Sequence, residues 1–217
     1  EGRRVVLAVE GAISFYYVWV NGEYLGCNMD SKTAAEWDIT DKLKAGENTV
    51  AMEVYRWSAG AYYECQDFWR LSGIERDVYL YSTPKTYIAD FTARTPLDAS
   101  YSNGELTLDV AVDGLPTAPA KKGKKQKQAG KYMVNYTLYD ADGNVAATAT
   151  EPASATTTFT AEIPAVKAWT AETPNLYTLL VDLIDPKGDV TETVGCNVGF
   201  HTSEVKKGLY LLNGEPI

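Results

Sequence analysis

The sequence predicts an all-β protein made of two successive β-sandwiches. Apolar and polar residues alternate with period two along most of the chain. In GELTLDVAVD, Leu106, Leu108, Val110 and Val112 face one way, while Glu105, Thr107, Asp109 and Asp113 face the other, the pattern of a half-buried antiparallel strand. Turn-forming clusters separate the alternating runs: Asn21-Gly22, Ala45-Gly46-Glu47-Asn48, Asp142-Gly143 and Pro186-Lys187-Gly188. Helical periodicity is confined to short windows, with one turn expected near Asp41 to Leu43 in AAEWDITDKLKAG. Short strands separated by such turns bury their apolar faces by packing sheet on sheet.

Taken in order, RRVVLAVE, ISFYYVWV, NTVAMEVYRW and DVYLY are the strands of a first unit, residues 1–84, which Pro84 closes. This unit is short for a sandwich and opens directly on a strand, so it is expected to lack its opening strands. A second unit, 85–202, includes KYMVNYTLYD, TTFTAEIP and LYTLLVDLID. With about seven short strands, its size and turn spacing are those of an immunoglobulin-like sandwich. Residues 203–217, SEVKKGLYLLNGEPI, form a connector that ends in a small hairpin.

The 217 residues carry a net charge of -9, which argues against a nucleic-acid partner, since phosphate binding needs local cation density. The one basic run, Lys121 to Lys127, sits among few apolar residues and reads as a solvated loop. No apolar run reaches bilayer length, so no membrane partner is expected. Cys27, Cys65 and Cys196 are odd in number and lack metal-ligand spacing, and they read as free buried thiols. There is no initiator Met and no signal-like start, so the chain reads as a segment of a longer protein and its compartment, cytoplasm or periplasm, stays open.

The stretch YYECQDFWRLSGIERDVYLY, Tyr62 to Tyr81, sets acids and arginines among aromatic rings. Two readings compete. One is a structural corner, with Asp67 paired to Arg70 or Arg76, and with Arg56, Arg70, Arg76 and Asp77 in a charge network, because a buried charge without a partner is strongly destabilising. The other is a sugar site walled by Phe68 and Trp69. Trp19, Trp37, Trp57 and Trp169 are expected to pack internally. His201, the single histidine, lies near no recognisable nucleophile motif and is not read as catalytic.

Several long segments carry a resemblance. VWVNGEYLGCNMDSKTAAEWDIT and GENTVAMEVYRWSAGAYYECQDFWRLSGIERDVYLY resemble the sugar-binding domain of family 2 glycoside hydrolases, most of all its β-galactosidase branch. WTAETPNLYTLLVDLID resembles the second, immunoglobulin-like domain of those enzymes, and VGFHTSEVKKGLYLLNGEPI their connector to a catalytic barrel. The resemblance implies a truncated galactose-binding-like jelly roll followed by the immunoglobulin-like sandwich. It implies a parent that hydrolyses terminal β-galactosides with two barrel glutamates, so that this chain holds no catalytic residue and Glu64 and Asp67 are not the acid pair. It implies that Asn21, of the NG hairpin, and Asp67, of QDFW, bind the galactosyl unit. Asp67 would also help hold sodium, with magnesium a further cofactor of the parent only. The implied partners are the β-galactoside, the missing barrel of the same chain and, for the parent, further copies of itself. The connector usually carries Arg where this chain has His201, which predicts a locally changed hydrogen-bond pattern in an unchanged fold. The rival readings are a β-glucuronidase or β-mannosidase of the same family, or a stand-alone carbohydrate-binding module.

Overall fold

The computed structural model describes residues 2–64, 67–116 and 131–217. The basic run Lys121 to Lys127, and Cys65, lie outside the described residues. The chain divides into two compact units, Glu1–Lys85 and Thr86–Ile217.

The first unit contains strands β1 (Arg4–Val9), β2 (Ala12–Ile13), β3 (Phe15–Val20), β4 (Glu23–Asn28), β5 (Ala35–Asp38) and β6 (Val50–Tyr55), a short helix α1 (Ala59–Glu64), and strands β7 (Gly73–Ile74) and β8 (Val78–Thr83). Two three-stranded antiparallel sheets, β5-β1-β8 and β4-β3-β6, are joined by the small pair β2-β7. Leu7 and Val9 from β1 meet Tyr16, Val18 and Val20 from β3, with Ile39 between them, in one apolar cluster. β3 alternates as its sequence requires, with Tyr16, Val18 and Val20 buried and Phe15, Tyr17 and Trp19 on the other face. β1 breaks the alternation, being buried on both faces from Val6 to Val9. β8 ends its sheet with Val78, Tyr79 and Leu80 exposed. The anticipated helical turn is a 3₁₀ turn at Thr40–Lys42.

The second unit contains β9 (Tyr87–Arg94), β10 (Gly104–Asp113), β11 (Met133–Tyr139), β12 (Val145–Pro152), β13 (Thr156–Ile163), β14 (Tyr177–Ile184) and β15 (Val190–Val198). They form a three-stranded sheet, β13-β10-β9, and a four-stranded one, β12-β11-β14-β15. This seven-strand arrangement is immunoglobulin-like. Leu106, Leu108 and Val110 of β10 face Val134, Tyr136 and Leu138 of β11 and Leu179, Val181 and Leu183 of β14 across a single core. Tyr177, at the start of β14, accepts a hydrogen bond from the Lys167 amide with its hydroxyl at 3.0 Å, the tyrosine-corner device of such sandwiches.

The tail folds as a three-stranded meander of β16 (Ser203–Lys206), β17 (Leu209–Leu212) and β18 (Glu215–Pro216), and it clusters with the second unit. Asn213 fastens it. Its Nδ2 donates to Trp169 O at 3.0 Å, and its Oδ1 accepts from the Thr202 amide at 2.9 Å. Trp169 is half-buried against Gly199, and its ring lies 5.4 Å from the His201 ring between centres, tilted by 53°. His201 itself is exposed, with Nδ1 3.2 Å from Gly199 O.

Of the other tryptophans expected to pack internally, Trp37 does so while Trp19 and Trp57 do not. Trp37 packs against the first core, edge-to-face with Tyr16. Trp19 sits on the outer sheet face beside Tyr17 and Tyr24, and Trp57 is 53% exposed under the Arg56 guanidinium. Trp19 lies on the outward-facing phase of β3 and Trp57 just beyond the end of β6, so neither ring faces the first core. Cys27 is likewise an exposed free thiol, because it follows the outward phase of β4, while Cys196 is free and half-buried, and its burial pushes its thiol pKa up.

Candidate functional site

A cleft of about 560 Å³ in the first unit gathers much of the chemistry of the Tyr62 to Tyr81 stretch. Ile13 forms part of its floor, Phe68, Trp69 and Leu71 line it with apolar surface, and Glu64, Asp67, Lys32 and Glu75 supply its charges. The three apolar residues stand out from the protein: Phe68 is 79% exposed, Trp69 77% and Leu71 65%. The Phe68 and Trp69 rings are neighbours, 6.3 Å apart and tilted by 36°. Large apolar rings held in water next to carboxylates are the composition of a surface awaiting a partly polar, partly apolar ligand.

The charges of the stretch do not form the expected corner. Among the described residues the ion pairs of the first unit are Arg4–Asp38, Lys32–Glu75 and Lys42–Glu23, and none includes Asp67, Arg56, Arg70, Arg76 or Asp77. Arg70 lies over the Tyr62 ring at 5.5 Å, and Arg76 Nη1 donates to Lys32 O at 3.0 Å. The reason is exposure. Nearly the whole run from Asp67 to Leu80 lies at the surface, so water solvates these charges and no pairing is forced. Glu64 is engaged: it accepts from the Ser31 amide at 3.2 Å and from the Ser31 hydroxyl. Asp67 therefore enters the cleft with no hydrogen-bond or ion-pair partner among the described residues.

Asn21 is elsewhere. It follows the last residue of β3, while Ile13, in the cleft, precedes the same strand. The length of β3 separates them, roughly 20 Å at about 3.3 Å per residue. Asn21 and Gly22 have φ of 52° and 84°, both left-handed, which makes them a primed hairpin turn. The Asn21 amide donates to Lys42 O and to Asn48 Oδ1, both at 2.8 Å, and accepts from the Thr49 amide at 3.1 Å. Both amide hydrogens are used inside the protein. The structure thus does not bring Asn21 and Asp67 together.

For a cation the donor chemistry is limited. Asp67 offers a hard oxygen suited to sodium, but among the described residues no group of three His, Cys, Asp or Glu side chains could hold a metal ion. Sequence reasoning missed Ser31 and Lys32, which line the cleft from a distant loop; nothing local in DSKTAAEW signals that they close on residues more than thirty positions away.

Comparison with known proteins agrees with this architecture. Residues 1–84 match the model for the glycosyl hydrolases family 2 sugar binding domain, and residues 86–201 match a second model of glycosyl hydrolases family 2. The chain belongs to glycoside hydrolase family 2. It is 42% identical to a β-galactosidase of Priestia megaterium over 98% of this chain and 20% of the relative. A β-galactosidase of Halalkalibacterium halodurans is 39% identical over 97% of this chain and 20% of its own length. The chain thus spans about a fifth of these relatives. Among solved structures, an FMN-binding β-glucuronidase from Facaelibacterium prausnitzii L2-6 superposes with a TM-score of 0.83 at 24% identity, over 99% of this chain and 32% of that one. A putative β-galactosidase from Bacteroides fragilis gives 0.78 at 22% identity, over 100% of this chain and 33% of that one. These two likenesses establish the fold.

Proposed function

We propose that the chain is the sugar-binding and immunoglobulin-like part of a β-galactosidase that cleaves terminal β-galactosides with retention of configuration. The observation that carries this reading is the 42% identity to a β-galactosidase across 98% of the chain. The cleft supports it by presenting Asp67 without an internal partner, beside exposed rings.

Retaining hydrolysis needs two carboxyl groups about 5 Å apart across the scissile bond, one to protonate the leaving oxygen and one to attack the anomeric carbon. Glu64 is engaged by Ser31, and this reading, resting on the family resemblance, takes both catalytic carboxylates to lie outside the chain. What the chain contributes is binding. The Asp67 carboxylate accepts a hydrogen bond from a galactosyl hydroxyl, a charge-assisted contact about twice as strong as a neutral one. Phe68 and Trp69 cover the apolar face of the sugar and exclude water from that bond. Bound sodium would be held in part by Asp67 and would offer its positive charge to a sugar hydroxyl. Asn21 has no part in this proposal, since its amide hydrogens are committed to the hairpin.

The test is a panel of nitrophenyl β-galactoside, β-glucuronide and β-mannoside with the complete protein. Selective galactoside cleavage is expected. Preference for the glucuronide or mannoside would move the chain to a sister enzyme of the family, and binding without cleavage of any would make it a carbohydrate-binding module.

A further inference from the structure

One loop holds both ends of the segment that carries Asp67, Phe68 and Trp69. The loop is residues 28–33. On one side α1 lies against it through Gly60 and Glu64, four residues apart and so on the same helix face. A Cβ at Gly60 would stand 3.0 Å from Met29 Cγ and 3.1 Å from Met29 O, so the helix and the loop are in close contact there. One turn on, the Glu64 carboxylate accepts both the amide and the hydroxyl of Ser31, which is only 1% exposed. On the other side Lys32 pairs with Glu75, and Arg76 donates to Lys32 O at 3.0 Å. The loop is itself stiffened by Asp30, which accepts from the amides of Lys32 at 3.1 Å and Thr33 at 3.2 Å. A hydrogen bond from the Thr33 hydroxyl, with the Lys32 amide bond behind it, holds the Asp30 carboxyl below its ordinary pKa.

We propose that Glu64 and Ser31 form a clamp that positions Asp67 for its ligand. This rests on the reading of Asp67 given above. Asp67 has no partner of its own among the described residues, so its place is set by the backbone anchors on either side. The nearer anchor is Glu64, three residues away, a reach of at most about 10 Å of chain. Glu64 is therefore a positioning residue: its carboxylate works on the loop, and through the loop on Asp67. The Lys32–Glu75 pair and the Arg76 bond close the far end of the same segment. Opening the near end would let Asp67 sample positions in which it misses the sugar hydroxyl, and a displacement of about 1 Å is enough to cost a large factor in rate.

Hydrogen exchange and a double-mutant cycle on the complete protein test the two halves of this proposal. Glu64→Ala is expected to raise deuterium uptake severalfold in peptides spanning residues 67–75, with peptides of β10 unchanged. It should lower kcat/KM for nitrophenyl β-galactoside about 10-fold and raise the sodium concentration needed for half-maximal rate. Glu64→Gln, which keeps an acceptor for the Ser31 hydroxyl, should recover most of both. Ser31→Ala removes one hydroxyl and should give the same signs at smaller size, which covers the case that Glu64→Ala does not fold. In an Asp67→Ala background, adding Glu64→Ala should cost less than about 2-fold more, because the clamp then has nothing to position. Unchanged exchange in folded Glu64→Ala and Ser31→Ala overturns the clamp. A full further loss of about 10-fold in the double variant overturns its link to Asp67, since independent sites add. A silent Asp67→Ala overturns the functional reading instead, and the exchange result then decides the clamp alone.

Discussion

Asn21 uses one side chain to set a turn and to tie three segments together. Its left-handed backbone costs little, and its amide reaches Lys42, Asn48 and Thr49. Asn21→Ala is expected to destabilise the first unit by about 1–2 kcal/mol in urea unfolding, through lost hydrogen bonds and a strained turn, while KM of the complete protein stays unchanged. Unchanged stability with a raised KM would instead return Asn21 to the sugar site. The turn was legible from the Asn-Gly pair; the distance from Asp67 was not, because only the course of β3 reveals it. Asp98 is a second residue of this kind. Its carboxylate accepts from the Ser100 hydroxyl and from the Asn103 side-chain amide at 2.8 Å each, and from the Ser102 amide at 3.1 Å. These bonds, the Ser100 hydroxyl first, hold its pKa well below the ordinary 3.8. A depressed carboxyl adds stability that is present above its unfolded pKa and lost as pH falls below it. The thermal midpoint of the second unit should therefore fall as the pH drops below 3.8, and Asp98→Asn should lower the midpoint at neutral pH and flatten that fall. An identical acid profile in Asp98→Asn would assign the loss to other carboxylates, such as Asp109, also held low by Thr158 and Arg94.

At the scale of elements, β10 was legible and α1 was not. In β10 strict alternation over ten residues leaves one arrangement that buries Leu106, Leu108, Val110 and Val112 together. Leu108 is fully buried, and Leu108→Ala should cost about 2–5 kcal/mol in denaturant unfolding. Gly104, at the start of the same strand, is set by its neighbour, since an added Cβ would stand 2.4 Å from the buried Phe200 ring. Gly104→Ala should destabilise by about 1–3 kcal/mol through overpacking, and an unchanged midpoint would show that Phe200 can move aside. The helix α1 spans six residues, AGAYYE, too short for periodicity to declare itself, and it holds its place through Gly60 and Glu64 against a loop that the local sequence does not announce. The same limit explains the misread charge corner. Local sequence shows that Arg56, Arg70 and Arg76 lie near acids, but whether they are buried, and so must pair, depends on layers that only the fold supplies.

For the molecule as a whole, the first unit carries the cleft of exposed rings and carboxylates, and the proposed function assigns the chemistry of bond cleavage to other residues of the parent. The 217-residue chain alone is thus expected to release no nitrophenol from the β-galactoside and to bind galactose too weakly for a calorimetric signal at micromolar concentration. Tight galactose binding by the isolated chain would mean that the cleft is a complete sugar site. The family was legible because long segments such as QDFWRLSGIERDV resemble those of its members; the clamp behind Asp67 was not, because it joins Ser31, in a loop, to Glu64, at the end of a helix, over thirty positions away. The most direct measurement is kcat/KM for nitrophenyl β-galactoside of the complete protein and its Asp67→Ala variant, each with and without sodium. Asp67→Ala is expected to lose about 10- to 100-fold, the worth of one charge-assisted hydrogen bond, and to show a blunted response to sodium. A folded Asp67→Ala protein that keeps its full rate and its sodium response would contradict the binding role of Asp67.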